Sequence, residues 1–247
     1  MALSDAQISE YRQNGHVTCP GIFDNRFMDD LVEESRRWTD EFISGLDAEK
    51  RAWYVDGEFD GNPLLRKLDD PVYYREAFRA IAKHPRLVEA VEELIGKGVA
   101  VPFSQVFFKP PEIGGPKPAH QDNFYFGCND DDGMVTAWIA LDEATVENGC
   151  MFFGDGTNRG EIYDHFAPEG EPFNLQISDE IMSKIEMTPG PVPKGGVSFH
   201  HGNTIHQSSE NKSTNWRRAV AIHYVNRKTI FETPALEYDT SKFVEIS

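Results

Sequence analysis

The apolar residues change their spacing near Gly98, and this change limits the folds that the chain can adopt. Before it, apolar positions recur every three or four residues over 25–44 and 85–95, as on the buried face of a helix. After it, short runs rich in Val, Ile, Phe and Thr alternate with Pro, Gly, Asn and Asp clusters, which is typical of strands joined by turns. This order predicts an α+β fold whose core is a double-stranded β-helix (jelly roll, cupin-like), with the N-terminal helices packed on the outside.

Several elements have recognisable ends. Ser4 and Gln7 fit a capping box before a first helix, which Gly15 would end. A short strand is expected over 16–19, and a helix over 178–186. The strands predicted in the second half are 101–109, 119–125, 134–141, 150–153, 196–201, 204–210 and 217–225.

The 247 residues contain no stretch with the composition of a linker, so we expect a single domain over 1–247. Its expected parts are a mainly helical segment over 1–98, the jelly-roll core over 99–226 and a C-terminal tail over 227–247. The polar segment 154–193 is long for a loop inside a compact domain. It is either a lid over an active site or a surface insertion that covers a sheet edge.

Composition excludes several classes of partner. A formal net charge of -17 argues against binding to nucleic acid or to an anionic membrane, since both require clustered Lys and Arg. The three cysteines lack metal-type spacing, and no apolar run reaches membrane-spanning length, so a cytoplasmic location is expected. A small-molecule substrate is the expected partner, and the sequence carries no indication of an oligomeric state.

Two ligand-type residues, His120 and Asp122, are separated by one residue in a predicted strand. Side chains alternate along a strand, so both would face one metal ion, and a remote third ligand would leave positions open for cosubstrate and oxygen. His206 is the best candidate for that ligand. The His-x-Asp pair is weak evidence by itself, because a chain with 8 His and 41 acidic residues produces such pairs by chance.

Two polar residues after His206 suit a carboxylate cosubstrate. Ser208 would share the strand face of His206 and could donate its hydroxyl. Arg217 offers a planar fork for a bidentate carboxylate pair, although Arg218 is a rival one residue away. Strand alternation would place Arg217 on the same inward face as Ala219 and Ala221, which leaves room for a small acid.

The motifs around these residues resemble those of the phytanoyl-CoA dioxygenase family of Fe(II)- and 2-oxoglutarate-dependent oxygenases. The resemblance extends from about residue 5 to residue 226 and is strongest between 105 and 224. It rests on Pro118-Ala119-His120-Gln121-Asp122, Asn148-Gly149-Cys150, Phe199-His200-His201-Gly202, Ile205-His206 and Arg217-Arg218-Ala219.

This resemblance implies that His120, Asp122 and His206 are the iron ligands. It further implies that Arg217 holds the distal carboxylate of 2-oxoglutarate, with O2 as second cosubstrate. The other residues that it places near the cosubstrate are Ser208, Trp138, Gln105, Thr136 and Lys67.

The implied reaction is hydroxylation of a C–H bond in a small metabolite or natural-product intermediate, with release of succinate and CO2. Related halogenases replace the carboxylate ligand by a small residue, and the presence of Asp122 favours hydroxylation or another oxidation over halogenation. The segment 154–158 departs from a Pro-Gly-Ser-His type turn of many relatives, so their substrate preferences do not transfer. Two alternatives are a non-catalytic metal- or ligand-binding cupin-like protein and a metal enzyme that does not use 2-oxoglutarate.

Other residues near these motifs have two interpretations each. His200 and His201 are expected to stay outside the ligand set, because an oxygenase site must keep positions open. His223 would either orient the substrate or be a core histidine. The aromatic residues over 124–126 would either wall the substrate pocket or pack in the core.

Overall fold

The computed structural model describes residues 3–48, 50–59, 61–171 and 173–247. Short 3-10 turns occur at Asp131–Gly133, Thr157–Arg159 and Thr240–Lys242. The helices within the described residues are α1 (Asp5–Asn14), α2 (Asn25–Ser44), α3 (Arg51–Tyr54), α4 (Pro71–Tyr74), α5 (Glu76–Ala82), α6 (Pro85–Ile95), α7 (Asp122–Phe126) and α8 (Asp179–Met182). The strands are β1 (His16–Cys19), β2 (Val55–Phe59), β3 (Asn62–Leu65), β4 (Lys67–Asp69), β5 (Val99–Lys109), β6 (Lys117–His120), β7 (Met134–Ala140), β8 (Met151–Gly154), β9 (Met187–Gly190), β10 (Val197–His201), β11 (His206–Ser208), β12 (Arg217–Asn226) and β13 (Val244–Glu245).

The N-terminal helices begin and end where the sequence predicts. Both hydrogen bonds of the capping box between Ser4 and Gln7 are present at the start of α1. Gly15 ends that helix in the left-handed conformation, with φ 82°, and a Cβ there would lie 2.3 Å from the hydroxyl of Thr204. Helices α2 and α6 have the predicted bounds.

Two antiparallel sheets form the jelly roll. The large sheet has the order β1-β10-β7-β12-β5-β13, with β4 also paired to β5. The small sheet has the order β6-β11-β8-β9, and β2 pairs with β3 in a separate hairpin. The predicted α+β jelly roll with outer helices is confirmed.

The central strand β12 divides the interior into two sides by its alternation. Val220, Ile222 and Tyr224 pack into the main core with the buried faces of helices α2, α5 and α6. Ala219 and Ala221 lie on the opposite face, in a cluster with Trp138. The helices therefore cover one face of the large sheet, and the other face is available for a cavity between the sheets.

Three predicted elements are clearly longer than the ones that the structure shows. The strand predicted over 119–125 is wrong beyond His120, because the chain turns into α7 at Asp122. An acidic residue at the first helical position is favourable beside the helix dipole, and the Asn123 amide donates to the Gly202 carbonyl. The strand predicted over 204–210 shortens to β11, since 201–204 form a turn. The helix predicted over 178–186 shortens to α8.

Five short strands without an alternating sequence pattern were not predicted: β2, β3, β4, β9 and β13. β9 lies inside the segment 154–193 and pairs with β8, so the end of that segment belongs to the small sheet. The hairpin of β2 and β3 lies inside the N-terminal segment that was expected to be mainly helical.

Among the described residues, no helix combines the length and the apolar composition that a membrane span requires.

Candidate active site

Three buried side chains converge between the two sheets. His120 ends β6, Asp122 begins α7, and His206 begins β11, directly opposite His120 in the strand pairing. The Asp122 Oδ1 atom lies 3.9 Å from His120 Nε2 and 3.6 Å from His206 Nε2. One ligand atom from each residue lies within 4.8 Å of the others, so the three could hold a single metal ion.

Backbone carbonyls fix the orientation of both imidazoles. His120 Nδ1 lies 2.8 Å from the Pro118 carbonyl oxygen, and His206 Nδ1 lies 2.9 Å from the Thr204 carbonyl oxygen. A carbonyl oxygen can only accept a hydrogen bond. In the neutral imidazole, Nδ1 therefore carries the proton, and Nε2 keeps its lone pair for a metal. Burial lowers the pKa of His120 well below its ordinary value, which also favours the neutral ligand form.

The second carboxylate oxygen of Asp122 is already occupied by donors. The Thr136 hydroxyl donates to Oδ2 at 2.6 Å, and His200 Nε2 lies 3.1 Å from the same atom. His223 Nδ1 lies 2.8 Å from the Thr136 hydroxyl. Burial alone would raise the pKa of Asp122, but His206, His223 and His200 together hold it well below its ordinary value. Asp122 is therefore ionised, with Oδ1 directed at the two imidazoles.

Arg217 provides a cation inside the same cavity. Its side chain is only 2% exposed, and its guanidinium lies 5.4 Å from the ring centroid of Trp138. Its Nε has no hydrogen-bond partner among the described residues. Burial lowers its pKa to about 9, so the group remains protonated at neutral pH. A buried guanidinium without an acidic partner is costly and suits an anionic ligand.

Arg218, the rival of Arg217, is engaged elsewhere. Its Nε lies 2.7 Å and its Nη2 2.9 Å from the two oxygens of Asp142. Of these two arginines, Arg217 lines the cavity and Arg218 does not. Ser208 and Trp138 line that cavity as well, on the face that strand alternation predicts.

The remaining predicted cosubstrate residues line the cavity but already have partners. Gln105 Nε2 lies 2.8 Å from Asp69 Oδ1, and Lys67 Nζ lies 3.0 Å from Asp69 Oδ2. Thr136 also lines the cavity, and its hydroxyl supports Asp122. The structure brings all the predicted site residues to one cavity, with the metal-type ligands and Arg217 as its two polar centres.

Comparison with known proteins identifies the family. The family model for phytanoyl-CoA dioxygenase (PhyH) matches residues 11–219. The chain belongs to the phytanoyl-CoA dioxygenase family. The resemblance inferred from the sequence motifs is thereby confirmed.

Two curated proteins and one solved structure are similar to most of this chain. A probable alpha-ketoglutarate-dependent hypophosphite dioxygenase of Stutzerimonas stutzeri is 30% identical over 225 residues, which cover 88% of this chain and 77% of that protein. A probable phytanoyl-CoA dioxygenase of Caenorhabditis elegans is 28% identical, over 91% of this chain and 76% of its own length. The carbocyclase SnoK from nogalamycin biosynthesis, a non-heme alpha-ketoglutarate-dependent enzyme, shares the fold with a TM-score of 0.78 at 20% identity, over 99% of this chain and 97% of its own.

Segments outside the jelly roll complete the cavity wall. Leu236 and Tyr238 come from the C-terminal tail, beyond the part that matches the family model, and Tyr238 stacks on Phe126 at 4.8 Å. Phe173 comes from the segment 154–193, and Trp53 comes from α3. These residues were not predicted as part of the cavity, because isolated apolar residues in loops and in a very short helix carry no periodic signal.

The open interpretations of the neighbouring residues are resolved by position. His200 contacts Asp122 and so supports a ligand, whereas His201 lies 3.2 Å from Asp132 at the surface. His223 lines the cavity and bonds Thr136. Tyr125 and Phe126 line the cavity as well.

We expect Thr136→Val to weaken iron(II) binding about 10- to 100-fold, because it removes the 2.6 Å hydrogen bond that orients Asp122. The measurement is a competition titration of the metal against a chelator of known affinity. Thr18→Val is the matched control, since Thr18 lies on β1 and its hydroxyl forms a long hydrogen bond of 3.5 Å to the Ser198 hydroxyl. Equal iron affinity in the two variants would show that Thr136 does not position the ligand.

Proposed function

We propose that this protein is an Fe(II)- and 2-oxoglutarate-dependent dioxygenase that hydroxylates a C–H bond of a small molecule, with release of succinate and CO2. The observation that carries the proposal is the pairing of two centres in one cavity. One is the His120, Asp122 and His206 cluster, and the other is the buried Arg217, whose Nε has no hydrogen-bond partner among the described residues. A metal alone does not require the second centre, and a simple acid-binding protein does not require the first.

The donor set fits iron(II). Two neutral imidazoles and one carboxylate are the ligands that non-haem iron oxygenases use, and they leave coordination positions for 2-oxoglutarate and O2. The iron would supply the activation of O2 and the removal of hydrogen from an unactivated carbon. The use of 2-oxoglutarate is supported further by the relative in Stutzerimonas stutzeri, which is described as alpha-ketoglutarate-dependent.

The protein's own residues would bind and orient the reactants. Arg217 and Ser208 would hold the distal carboxylate of 2-oxoglutarate, and Trp138 would pack against its carbon chain. Thr136 and His200 would fix the direction of Asp122 Oδ1. The aromatic wall of Tyr125, Phe126 and Tyr238 would exclude water while the reaction proceeds.

Halogenation is disfavoured because Asp122 occupies the carboxylate position of the ligand set. Related folds serve other outcomes, since SnoK is described as a carbocyclase and SnoN as an epimerase. The product of the first accepted substrate decides between hydroxylation and these reactions.

The direct test is metal- and 2-oxoglutarate-dependent formation of succinate. Iron(II)-loaded protein should convert 2-oxoglutarate to succinate in air, and removal of iron by a chelator should abolish both turnover and the binding of 2-oxoglutarate. Iron binding without 2-oxoglutarate binding would contradict the proposal and favour an enzyme independent of that cosubstrate. Binding of both without succinate formation in any substrate screen would favour a non-catalytic binding protein.

A further inference from the structure

The cavity has the opposite charge balance to the rest of the protein. The chain carries 41 acidic and 24 basic residues. The cavity, in contrast, is lined by five cationic side chains and two acidic ones, Asp56 and Asp122. The cationic residues are Arg66, Lys67, Lys109, Lys117 and Arg217. An acidic protein with a cationic cavity concentrates anions there.

These cations form two groups. Arg217 and Lys109 lie opposite each other on the paired strands β12 and β5, where the distal carboxylate of 2-oxoglutarate is expected. The second group surrounds the ring of Phe173: Lys117 Nζ lies 4.3 Å, Arg66 Cζ 4.9 Å and Lys67 Nζ 5.4 Å from its centroid. Iron and Arg217 together match the two charges of 2-oxoglutarate, so Lys117 is not needed to balance the charge of the cosubstrate.

Within the second group, two side chains form ion pairs with carboxylates, and the third forms none with the described residues. Arg66 pairs with Asp56 at 3.2 Å, and Lys67 pairs with Asp69 at 3.0 Å. Lys117 forms no ion pair with any carboxylate of the described residues and donates to the backbone carbonyl of Phe173. Its own burial, together with Lys67, lowers its pKa to about 7.

Lys117 is also close to the metal ligands. It begins β6, the strand that ends at His120, and its Cα is opposite Ser208 in the pairing with β11. Its side chain lines the cavity, and Phe173 brings the segment 154–193 against it. A substrate that contacts Lys117 would therefore lie between the metal ligands and that segment.

We propose that Lys117 binds an anionic group of the primary substrate, so that the substrate is a small molecule bearing a carboxylate or a phosphonate-type group. This inference rests on the proposed function, because it assigns the substrate of that same site. Lys117 is a specificity-determining residue in this scheme, and the aromatic wall contacts the apolar remainder of the substrate.

The test uses the anaerobic complex of the protein with iron(II) and 2-oxoglutarate, whose visible charge-transfer absorption reports both cosubstrate and substrate binding. Propionate, propylphosphonate and 1-propanol are titrated as two anions and a neutral molecule of similar length. In the wild type, we expect at least one anion to shift the band with roughly tenfold or greater preference over 1-propanol. Lys117→Met should lose this preference roughly tenfold or more, with the band from 2-oxoglutarate itself unchanged.

Two further variants separate charge from structure. Lys184→Met removes an exposed lysine of the segment 154–193, whose Nζ lies 3.3 Å from Glu180. This variant should keep the preference. Lys117→Arg should also keep it, and remains informative if Lys117→Met does not fold.

Each result has a distinct meaning. A wild-type complex that binds 1-propanol as tightly as both anions overturns the inference whatever the variants do. Anions that merely displace 2-oxoglutarate, or a Lys117→Met protein that cannot bind 2-oxoglutarate, also overturn it, since Lys117 would then serve the cosubstrate. The absence of any band in the wild type would instead contradict the proposed function.

Discussion

Replacing Asp122 with alanine is expected to weaken iron(II) binding by more than about 100-fold, because even residues that only support a metal ligand contribute 10- to 100-fold. Asp122 supplies the single carboxylate within reach of His120 Nε2 and His206 Nε2 among the described residues. Turnover of 2-oxoglutarate should fall with the metal. Metal content after gel filtration and succinate formation measure the two effects.

Asp164→Ala is the matched control for this variant. Asp164 is an exposed acid of the segment 154–193, so its loss changes the net charge equally without touching the cavity. We expect its iron content and succinate formation to equal those of the wild type. An Asp122→Ala protein that retains stoichiometric iron would show that the metal lies elsewhere.

Replacing Arg217 with methionine is expected to weaken 2-oxoglutarate binding at least about 30-fold, since truncating one partner of a buried charge pair costs about 2–5 kcal/mol. Iron binding should be unaffected, because Arg217 contacts none of the three ligands. The Kd for 2-oxoglutarate in the iron(II) complex and the KM for 2-oxoglutarate measure the change. The ligand-free variant should be no less stable than the wild type, as methionine removes a buried cation whose Nε has no hydrogen-bond partner among the described residues.

Arg218→Met gives the opposite pattern and is the natural control. It breaks the two hydrogen bonds to Asp142 at 2.7 and 2.9 Å, so it should lower the unfolding temperature while leaving 2-oxoglutarate affinity unchanged. Unchanged activity of Arg217→Met at limiting 2-oxoglutarate would favour a metal enzyme that does not use this cosubstrate.

Much of the fold is encoded in local patterns. The capping box at Ser4, the stop at Gly15 and the amphipathic spacing over 25–44 and 85–95 each depend on residues close in sequence. The alternation along β12 is equally local, and it correctly separates Arg217, which lines the cavity, from Val220, which packs in the main core on the other face of the sheet. These features are therefore predictable without knowledge of what packs against them.

The sequence by itself determined which residue types are present for the chemistry: two histidines, a carboxylate, a serine and an arginine in an order that matches the family. Tertiary structure decided how they meet. Asp122 reaches the histidines from the first turn of a helix and not from a strand. The chain turns there because the Asn123 amide donates a hydrogen bond to the carbonyl of the distant Gly202. Likewise, Lys117 is left without an acid because Asp56 and Asp69 pair with its neighbours. Such contacts join residues far apart in the chain, so periodicity and local propensity do not encode them.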